Sequence, residues 1–386
     1  MKVLGTVAGR TRVRARSSLV LVVAGTRPEA IKIVPVVRAL ATTRGVDVRV
    51  VNSGQHAHAV RATLDELGFG ANIELPDLPP LPNLAAAFDH LRTELAAAMI
   101  RWSPAMVVVQ GDTLTAHAAA VAGRAASCRV AHVEAGLRTD RATDPFPEEW
   151  FRRRIARVAD LHFAPTPGAA ANLSAEGVPP STIFCTGNTG IDSLKDVLDD
   201  LDLPTFDATA ARNRVLVTLH RRENYDRNAD VVCRALVRIT ELRPELRVTF
   251  PVHPNPRVAV PIRRRLEGRA AFDLTPPMAY RDFVAAAAGA ALIISDSGGI
   301  QEEAPHLGTP LLVPRGNTER PEAIATGFVR LVPVDVDVIV QAACAALDAP
   351  RRRPLPIDAR APFGAGDAGM RIARVVASAV VQRAYA

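Results

Sequence analysis

The sequence predicts an α/β protein built from two doubly wound, Rossmann-like domains that face each other across a cleft. Short runs of β-branched and other apolar residues alternate with longer stretches of helical periodicity along the chain. The apolar runs lack the polar alternation of half-exposed strands, which indicates parallel strands covered by helices on both faces. At 386 residues the chain is long enough for two such domains.

The individual elements follow in order. Ten strands are predicted, at residues 19–24, 46–53, 106–110, 129–133, 161–164, 183–185, 215–219, 247–252, 291–295 and 310–313. Helices are expected between them. One is marked by an apolar stripe at helical spacing, formed by Leu84, Phe88, Leu91, Leu95 and Met99. A final helix is expected at 370–384. This βαβ alternation favours right-handed crossovers and parallel sheets.

The domain boundary is expected near residues 187–190, where a strand ends and a helix follows, before the polar stretch 199–213 leads into a new strand. We expect an N-terminal domain of residues 19–187, completed by residues 370–386 that cross back to it, and a C-terminal domain of residues 188–369. Residues 1–18 are expected to be a basic, disordered extension.

Composition excludes several classes of protein. Five of the seven net positive charges fall within the first sixteen residues, so the body of the chain is near neutral, and aromatic residues make up only 4 %. Neither property is typical of a nucleic-acid-binding protein. No apolar run is long enough to span a membrane. The six-residue run 19–24 is followed by Gly-Thr-Arg-Pro, which indicates a core strand and not a signal peptide.

The four cysteines are widely separated and show no metal-binding or redox spacing. A reduced, cytoplasmic location and the absence of a structural metal are therefore expected.

Polar residues follow six of the predicted strands. These segments are Gly25-Thr26-Arg27-Pro28-Glu29-Ala30, Gly111-Asp112-Thr113, Glu134-Ala135-Gly136-Leu137-Arg138, His220-Arg221-Arg222-Glu223-Asn224, His253-Pro254-Asn255-Pro256 and Asp296-Ser297-Gly298-Gly299-Ile300-Gln301-Glu302-Glu303. Each one alone could be a solvated loop. Because ligands of open α/β sheets bind at the carboxyl ends of the strands, six together predict a binding cleft.

The Asp296–Glu303 segment is the most informative of the six. Glycines without Cβ allow close approach of the backbone to a ligand, and a helix N-terminus favours anions. The Glu302-Glu303 pair does not suit a bare phosphate, but carboxylates accept hydrogen bonds from sugar hydroxyls. The segment therefore indicates a nucleotide with a sugar attached, although an ordinary turn followed by a charged first helical turn would look similar.

Together with His132-Val133, Pro147-Glu148-Glu149, Gly187-Asn188-Thr189, Pro251-Val252 and Thr318-Glu319-Arg320-Pro321-Glu322-Ala323, these segments resemble the non-hydrolysing UDP-N-acetylglucosamine 2-epimerases from about residue 19 to the C-terminus. The resemblance implies a fold like that of GT-B glycosyltransferases, with a UDP-N-acetylhexosamine substrate between the domains, no metal or other cofactor, and a homodimer.

The reaction implied by the resemblance interconverts UDP-N-acetylglucosamine and UDP-N-acetylmannosamine. The C2 proton is not next to a carbonyl, so its direct abstraction would be very costly. If UDP leaves first, C1 becomes oxocarbenium-like and the C2 proton becomes acidic. The resulting glucal can be reprotonated on the other face before UDP is added again.

The resemblance assigns catalytic roles to Asp112, Glu134, Glu148 and His220, the last of them at the departing diphosphate. Because crowded carboxylates repel one another, we expect at least one of the three to have a raised pKa and to act as a general acid. From the sequence alone, Asp112 and Glu134 could equally be helix N-caps, and Glu148 a first-turn glutamate.

The remaining site residues implied by the resemblance bind substrate: Arg27, Lys32, Gln55, Arg152, His253, Phe283, Ser297, Gly298, Gly299, Glu303 and Arg320. Arg27, Arg320 and the 297–299 backbone suit phosphate oxygens, Glu303 the ribose and Phe283 the uracil. His253 could equally be a structural histidine.

The chain also departs from the family pattern. Phe151 stands where the family usually has Asn, and Ala156 where it has Asp, so we expect an altered wall facing the sugar. The bacterial members use a second substrate molecule as an activator. Gln55-His56 of that segment remain, but Ala57-His58 and the Pro-rich loop 75–84 replace the rest, so weak or absent activation is expected.

Three alternatives stay open. A hydrolysing 2-epimerase would release UDP and free N-acetylmannosamine. A GT-B glycosyltransferase would share the UDP-binding segments, although three converging carboxylates and the lack of an acceptor loop count against it. A nucleotide-sugar sensor with a degenerate cleft is disfavoured because all three carboxylates and His220 are present.

Overall fold

The computed structural model describes residues 17–139, 141, 145–201, 213–219, 227–358 and 360–381. Most of the expected basic extension, residues 1–16, lies outside the described residues, as does His220 with the segment that follows it.

A seven-stranded sheet forms the N-terminal part of the chain. Its strands are β1 (Ser18–Ala24), β2 (Val46–Asn52), β3 (Ile73–Glu74), β4 (Met106–Gln110), β5 (Arg129–Val133), β6 (Leu161–Ala164) and β7 (Ile183–Cys185). They lie in the order β3-β2-β1-β4-β5-β6-β7, and every pairing is parallel.

A six-stranded sheet forms the C-terminal part. Its strands are β8 (Arg214–Thr218), β9 (Arg247–Pro251), β10 (Phe272–Thr275), β11 (Leu292–Ser295), β12 (Leu311–Pro314) and β13 (Val329–Val332). They lie in the order β10-β9-β8-β11-β12-β13, again with parallel pairing. Both sheets therefore follow the doubly wound order of a Rossmann fold, which confirms the predicted fold class.

Helices connect the strands. They are α1 (Arg27–Ala41), α2 (Ala57–Glu66), α3 (Leu84–Trp102), α4 (Leu114–Ala125), α5 (Glu148–Ala156), α6 (Pro167–Ala175), α7 (Thr189–Asp200), α8 (Arg227–Leu242), α9 (Pro256–Leu266), α10 (Tyr280–Ala288), α11 (Gly299–Leu307), α12 (Pro321–Ala325), α13 (Val336–Asp348) and α14 (Ala368–Val381). Among the described residues, no helix is long and apolar enough to cross a membrane.

The last helix returns to the first sheet. Ile372, Val376 and Val380 of α14 are buried in the same apolar cluster as β1 and α1. Gly369 lies so close to α1 that a Cβ would be 2.6 Å from the backbone of Pro35. We call β1–β7 with α1–α6 and α14 the N-terminal half, and β8–β13 with α7–α13 the C-terminal half.

All ten predicted strands are present, with bounds that agree within one residue. Three further strands, β3, β10 and β13, were not predicted. Each lies at the edge of its sheet and has only two to four residues. Edge strands are short and partly exposed, so they lack the continuous apolar run that marks a central strand.

The sheet order determines where the polar segments lie. Strand order reverses between β1 and β4 in the N-terminal half and between β8 and β11 in the C-terminal half. Arg27, Asp112 and Ser297 lie two or three residues beyond the ends of β1, β4 and β11, respectively. Ligands of such sheets bind at these switch points.

Candidate active site

The loop after β1 is held by a capping box at the start of α1. Thr26 adopts an extended conformation, its hydroxyl accepts a 3.5 Å hydrogen bond from the Glu29 backbone N–H, and it donates to Glu29 Oε2 at 2.9 Å. Glu29 also accepts from the Gly25 N–H and from the Thr113 hydroxyl of the loop after β4. Burial raises the pKa of Glu29 to about 7, although these hydrogen bonds oppose the shift. This box joins the two switch-point loops of the first sheet.

Glu134 is the residue on which the donors of the site converge. It directly follows β5 and has a left-handed backbone (φ 64°), which is uncommon for a residue other than glycine and is found at functional sites. Its Oε1 accepts from Lys32 Nζ at 2.5 Å, from Asn188 Nδ2 at 3.1 Å and from Arg320 Nη2 at 3.1 Å. Gln110 donates to Oε2.

These donors determine the protonation state of Glu134. Burial by itself raises the pKa of a carboxyl group, but the charges of Lys32 and Arg320 outweigh it and lower the pKa of Glu134 to about 2. Burial likewise disfavours the charge of Lys32, yet Glu134 and Glu302 leave the Lys32 pKa raised. Glu134 is therefore ionised, and the raised pKa that we expected within the predicted carboxylates is not found at this one.

Asp112 belongs to a second ion pair, with Arg152. Arg152 is buried on α5 and donates to Asp112, to Glu149 at 3.2 Å and to Glu319 at 3.3 Å. Burial disfavours the Arg152 charge, but Asp112 and Glu319 leave its pKa raised. Since Glu319 belongs to the C-terminal half, the ion pair between Arg152 and Glu319 crosses between the halves.

Arg320 is the buried arginine of the C-terminal half and, like Arg152, pairs with several carboxylates. Its Nε lies 2.5 Å from Glu302 and its Nη1 2.5 Å from Glu319, while Nη2 reaches Glu134. Glu302 was predicted to accept sugar hydroxyls together with Glu303. Instead, its two oxygens face Arg320 and Lys32, so it is a member of the buried ion network.

The Ser-Gly-Gly turn makes room for this arginine. A Cβ on Gly298 would lie 2.7 Å from Arg320 Nη1, whereas one on Gly299, the first residue of α11, would meet nothing within 4 Å. The Ser297 N–H donates to the Ser295 hydroxyl at 3.1 Å. Gly298 is therefore needed for close approach of a guanidinium, a reason that was not visible in the sequence.

Glu303 lies one residue further along α11 and is held by a tyrosine. Tyr280 donates to Glu303 Oε1 at 2.7 Å, and both side chains are buried. Burial raises the pKa of Glu303 to about 7, and the charge of Glu302 adds to the shift. Phe283 follows Tyr280 by three residues on α10, and Arg27 interacts electrostatically with both Glu303 and Tyr280. The predicted ribose residue Glu303 and the predicted diphosphate residue Arg27 are therefore near each other, and the predicted uracil residue Phe283 lies on the same helix as Tyr280.

Other predicted residues have different surroundings. Gln55 accepts from the N–H and the hydroxyl of Thr115 at the start of α4, at 3.0 and 2.7 Å. His253 Nδ1 accepts a 3.1 Å hydrogen bond from the Asn255 N–H, a local contact that stabilises the turn before α9. Glu148 opens α5 one turn before Arg152, and the i, i+4 spacing places the two residues on one face of the helix.

Phe151 does not line a wall of this cluster. It is 2 % exposed and packs in the apolar core between α3, α4 and α5. Its ring stacks on His117 with centroids 5.1 Å apart, and His117 stacks on Phe88 at 4.7 Å. Neighbouring Trp150 is 42 % exposed. The expectation that Phe151 alters the sugar-facing wall was therefore wrong for this residue, because its helical phase directs the ring into the core.

Sequence reasoning missed four residues of the network: Gln110, Asn188, Glu302 as an ion-pair partner, and Glu319. All four lie within or beside recognised motifs, but each has a partner that is 24 to 270 residues distant along the chain. Only the helix-capping position of Asn188 carried a local signal, and its Oδ1 does accept from the Gly190 N–H at 2.8 Å.

Comparisons with known proteins agree with this geometry. A family model described as UDP-N-acetylglucosamine 2-epimerase matches residues 38–377. A protein of Ralstonia solanacearum named as a probable UDP-N-acetylglucosamine 2-epimerase is 39 % identical over 367 residues, which cover 92 % of this chain and 98 % of that protein.

Solved structures extend the likeness to three dimensions. The crystal structure of UDP-GlcNAc 2-epimerase from Neisseria meningitidis bound to UDP-GlcNAc has a TM-score of 0.86 at 32 % identity, covering 93 % of this chain and 100 % of that one. The S. aureus MnaA–UDP co-structure has a TM-score of 0.85 at 32 % identity, covering 94 % and 96 %. The likeness spans both sheets, so the fold is GT-B-like.

Proposed function

Since this chain belongs to the UDP-N-acetylglucosamine 2-epimerase family, we propose that it is the non-hydrolysing type, which interconverts UDP-N-acetylglucosamine and UDP-N-acetylmannosamine. The observation that carries the proposal is the ionised Glu134, with Lys32, Asn188 and Arg320 converging on one of its oxygens. Epimerisation at C2 needs a carboxylate base that is held in place, and a second group able to return the proton on the opposite face.

The first step is elimination. Arg27, Arg320 and His220 would hold the diphosphate as the C1–O bond breaks and its electron pair leaves with UDP. Positive charge at C1 makes the C2 proton acidic, and a carboxylate of the Asp112, Glu134 and Glu148 set removes it. The C2–H electrons then form the C1=C2 bond of the glucal.

The second step is the reverse with inversion. A protonated carboxyl group of the same set delivers its proton to the other face of C2, and a diphosphate oxygen of UDP attacks C1. No atom is gained or lost, and the nucleotide sugar is reformed as the C2 epimer. Microscopic reversibility makes the same groups act as acid in one direction and base in the other.

Arg320 links substrate binding to this chemistry. It is shared between Glu134, Glu302 and Glu319. A diphosphate oxygen that takes hydrogen bonds from Arg320 reduces the positive field at Glu134, and the Glu134 pKa then rises from about 2 towards values suited to proton transfer.

Most of the proposed contacts with UDP come from residues of the C-terminal half. Glu303, oriented by Tyr280, accepts from ribose hydroxyls, and Phe283 contacts the uracil. The Ser297, Gly298 and Gly299 backbone and Arg320 face the diphosphate. Lys32, Gln55, Arg152 and His253 complete the proposed substrate contacts, and activation by a second substrate molecule is expected to be weak.

The experiment is incubation with UDP-N-acetylglucosamine in deuterated water, followed by NMR. Deuterium at C2 together with appearance of UDP-N-acetylmannosamine is expected. Free N-acetylmannosamine plus UDP as the end products would make the protein a hydrolysing epimerase. Sugar transfer to an added acceptor without deuterium at C2 would make it a glycosyltransferase.

We also propose that the two halves are separate domains. The boundary lies at residues 187–188, and residues 370–386 belong to the N-terminal domain. We propose that the protein works as a homodimer, for which exposed Ile100 on α3 and Trp150 on α5 offer apolar contact surface. We also propose a cytoplasmic location, with which four free cysteine thiols agree. Light scattering tests the dimer, with the mass of a single chain as the contrary result.

A further inference from the structure

Glu319 has no role in the proposed reaction, yet it belongs to the buried ion pairs that surround the proposed acid/base groups. It lies in the loop between β12 and α12, and its side chain is completely buried. It accepts hydrogen bonds from Arg320 Nη1 at 2.5 Å, from Arg152 Nη2 at 3.3 Å and from Arg315 Nη2 at 3.3 Å. Arg320 and Arg315 belong to its own half, whereas Arg152 belongs to the other.

These contacts make one continuous chain of alternating charge. Arg152 holds Asp112, Glu319 holds Arg152 and Arg320, and Arg320 holds Glu134. Glu319 stands at the centre, one guanidinium away from each of two carboxylates that we propose as acid/base groups. Glu319 forms an ion pair with both arginines, at 3.3 Å from Arg152 Nη2 and 2.5 Å from Arg320 Nη1.

The consequence is that the two arginines cannot move independently. Removal of the shared carboxylate would leave Arg152 paired with Asp112 and Glu149, and Arg320 paired with Glu134 and Glu302. Each guanidinium would then settle on the anions that remain to it, independently of the other. The spacing between the two acid/base groups would then no longer be set by a common anchor.

We propose that Glu319 is a positioning residue for the C2 epimerisation, which sets the separation and the relative charge of Asp112 and Glu134 through Arg152 and Arg320. The inference rests on the proposed function. It adds a residue of the C-terminal half to acid/base machinery that otherwise lies in the N-terminal half.

The electrostatic effect has a definite sign. The charged groups that face Glu319 are Arg152, Arg315 and Arg320, and beyond them lie Asp112, Glu134, Glu149 and Glu302. Removing the negative charge of Glu319 reduces like-charge repulsion on Glu134, which lowers the pKa of Glu134. The pH optimum of turnover should therefore move to lower pH, by about one unit for carboxylates separated by one guanidinium.

The test compares Glu319→Gln, which removes the charge at nearly constant size, with Glu319→Asp, which keeps the charge and is shorter by one methylene group. Glu267→Gln is the matched control, because Glu267 is exposed, lies at the C-terminal end of α9 and forms an ion pair with exposed Arg263. For each full-length protein, kcat, KM for UDP-N-acetylglucosamine, the pH profile and the melting temperature are measured.

We expect Glu319→Gln to lower kcat about tenfold to a hundredfold, with KM changed less than about threefold, and to shift the pH optimum down. Glu319→Asp should recover part of kcat and restore the wild-type optimum. A wild-type profile for Glu319→Gln would overturn the proposal, as would equal losses in both variants with an unchanged optimum, which indicate a structural role.

Two further outcomes are informative. If Glu319→Gln does not fold, Glu319→Asp decides, and wild-type kcat in that variant counts against the proposal. If the wild-type protein itself incorporates no deuterium at C2, the proposed function fails independently of Glu319.

Discussion

Arg320 Nη2 lies 3.1 Å from Glu134 Oε1, so a guanidinium of the C-terminal half holds a buried carboxylate of the N-terminal half. The same guanidinium reaches Glu302 and Glu319, each at 2.5 Å. Charges buried this deeply are stable only when they remain paired, and breaking such a pair typically costs about 3–5 kcal/mol. The charge state of Glu134 therefore depends on how the two halves are packed, because the packing places Arg320 beside it.

Replacing Glu134 with Gln should lower kcat by roughly 10²- to 10⁴-fold, because the amide cannot take the C2 proton. Lys32 and Arg320 also lose a charged partner, so the melting temperature should fall. Deuterium incorporation at C2 and calorimetry measure the two effects separately. Turnover like that of the wild type would remove Glu134 from the mechanism.

Gly298→Ala should impair catalysis by displacing a side chain, without removing any polar group. The added Cβ would lie 2.7 Å from Arg320 Nη1, which three carboxylates hold in place. We expect a loss of about tenfold or more in kcat/KM. Gly299→Ala is the comparison, since a Cβ there meets nothing within 4 Å, and its loss should be much smaller. Similar losses in both variants would contradict the role assigned to Gly298.

Recognition of the ribose should strengthen as pH rises through about 7. Burial raises the pKa of Glu303 to about 7, so the carboxyl group is largely protonated at pH 6 and ionised at pH 8. Only the ionised form accepts hydrogen bonds on both oxygens. The preference for UDP over 2′,3′-dideoxy-UDP, measured by titration calorimetry, should increase by up to about tenfold from pH 6 to pH 8.

Both ligands carry the same diphosphate, so its protonation changes both affinities equally and cancels in their ratio. In Tyr280→Phe the increase should occur at higher pH, because the tyrosine hydrogen bond lowers the Glu303 pKa. A preference that stays constant with pH in the wild-type protein would exclude Glu303 as the ribose contact.

His117→Phe should make the protein more resistant to acid. Burial lowers the pKa of His117 to about 4, and neither ring nitrogen has a hydrogen-bond partner. Between pH 6.5 and 4, His117 is protonated in the unfolded chain but largely neutral in the folded chain. The free energy of unfolding therefore falls as pH decreases through this range. The loss amounts to about 2 kcal/mol at pH 5.

The measurement is urea unfolding of both proteins at pH 7.5 and 5. The difference between the two pH values matters, and not the absolute stability, since phenylalanine also changes the packing between Phe88 and Phe151. His132 and His162 keep their lowered pKa values, so part of the acid sensitivity should remain. An unchanged pH dependence would mean that His117 is not buried in its neutral form.

Much of the site could be predicted because motif residues follow strand ends. Asp112, Glu134 and Arg27 each follow a buried parallel strand within three residues, and the sheet order brings these ends together. The direction of a side chain on a helix is less predictable. Phe151 and Arg152 are adjacent in sequence, yet one packs in the core and the other reaches Asp112. A rotation of about 100° per residue separates the two directions.

The sequence by itself determined the fold class, the positions of ten of the thirteen described strands and the order of the motifs, because buried parallel strands and helix starts are local patterns of apolar residues and caps. Only the tertiary structure decided that Glu134 is held ionised, that Glu302 belongs to an ion network, and that Glu319 joins two arginines from opposite halves. These properties depend on burial and on charges far apart along the chain, and both exist only after the halves have packed together.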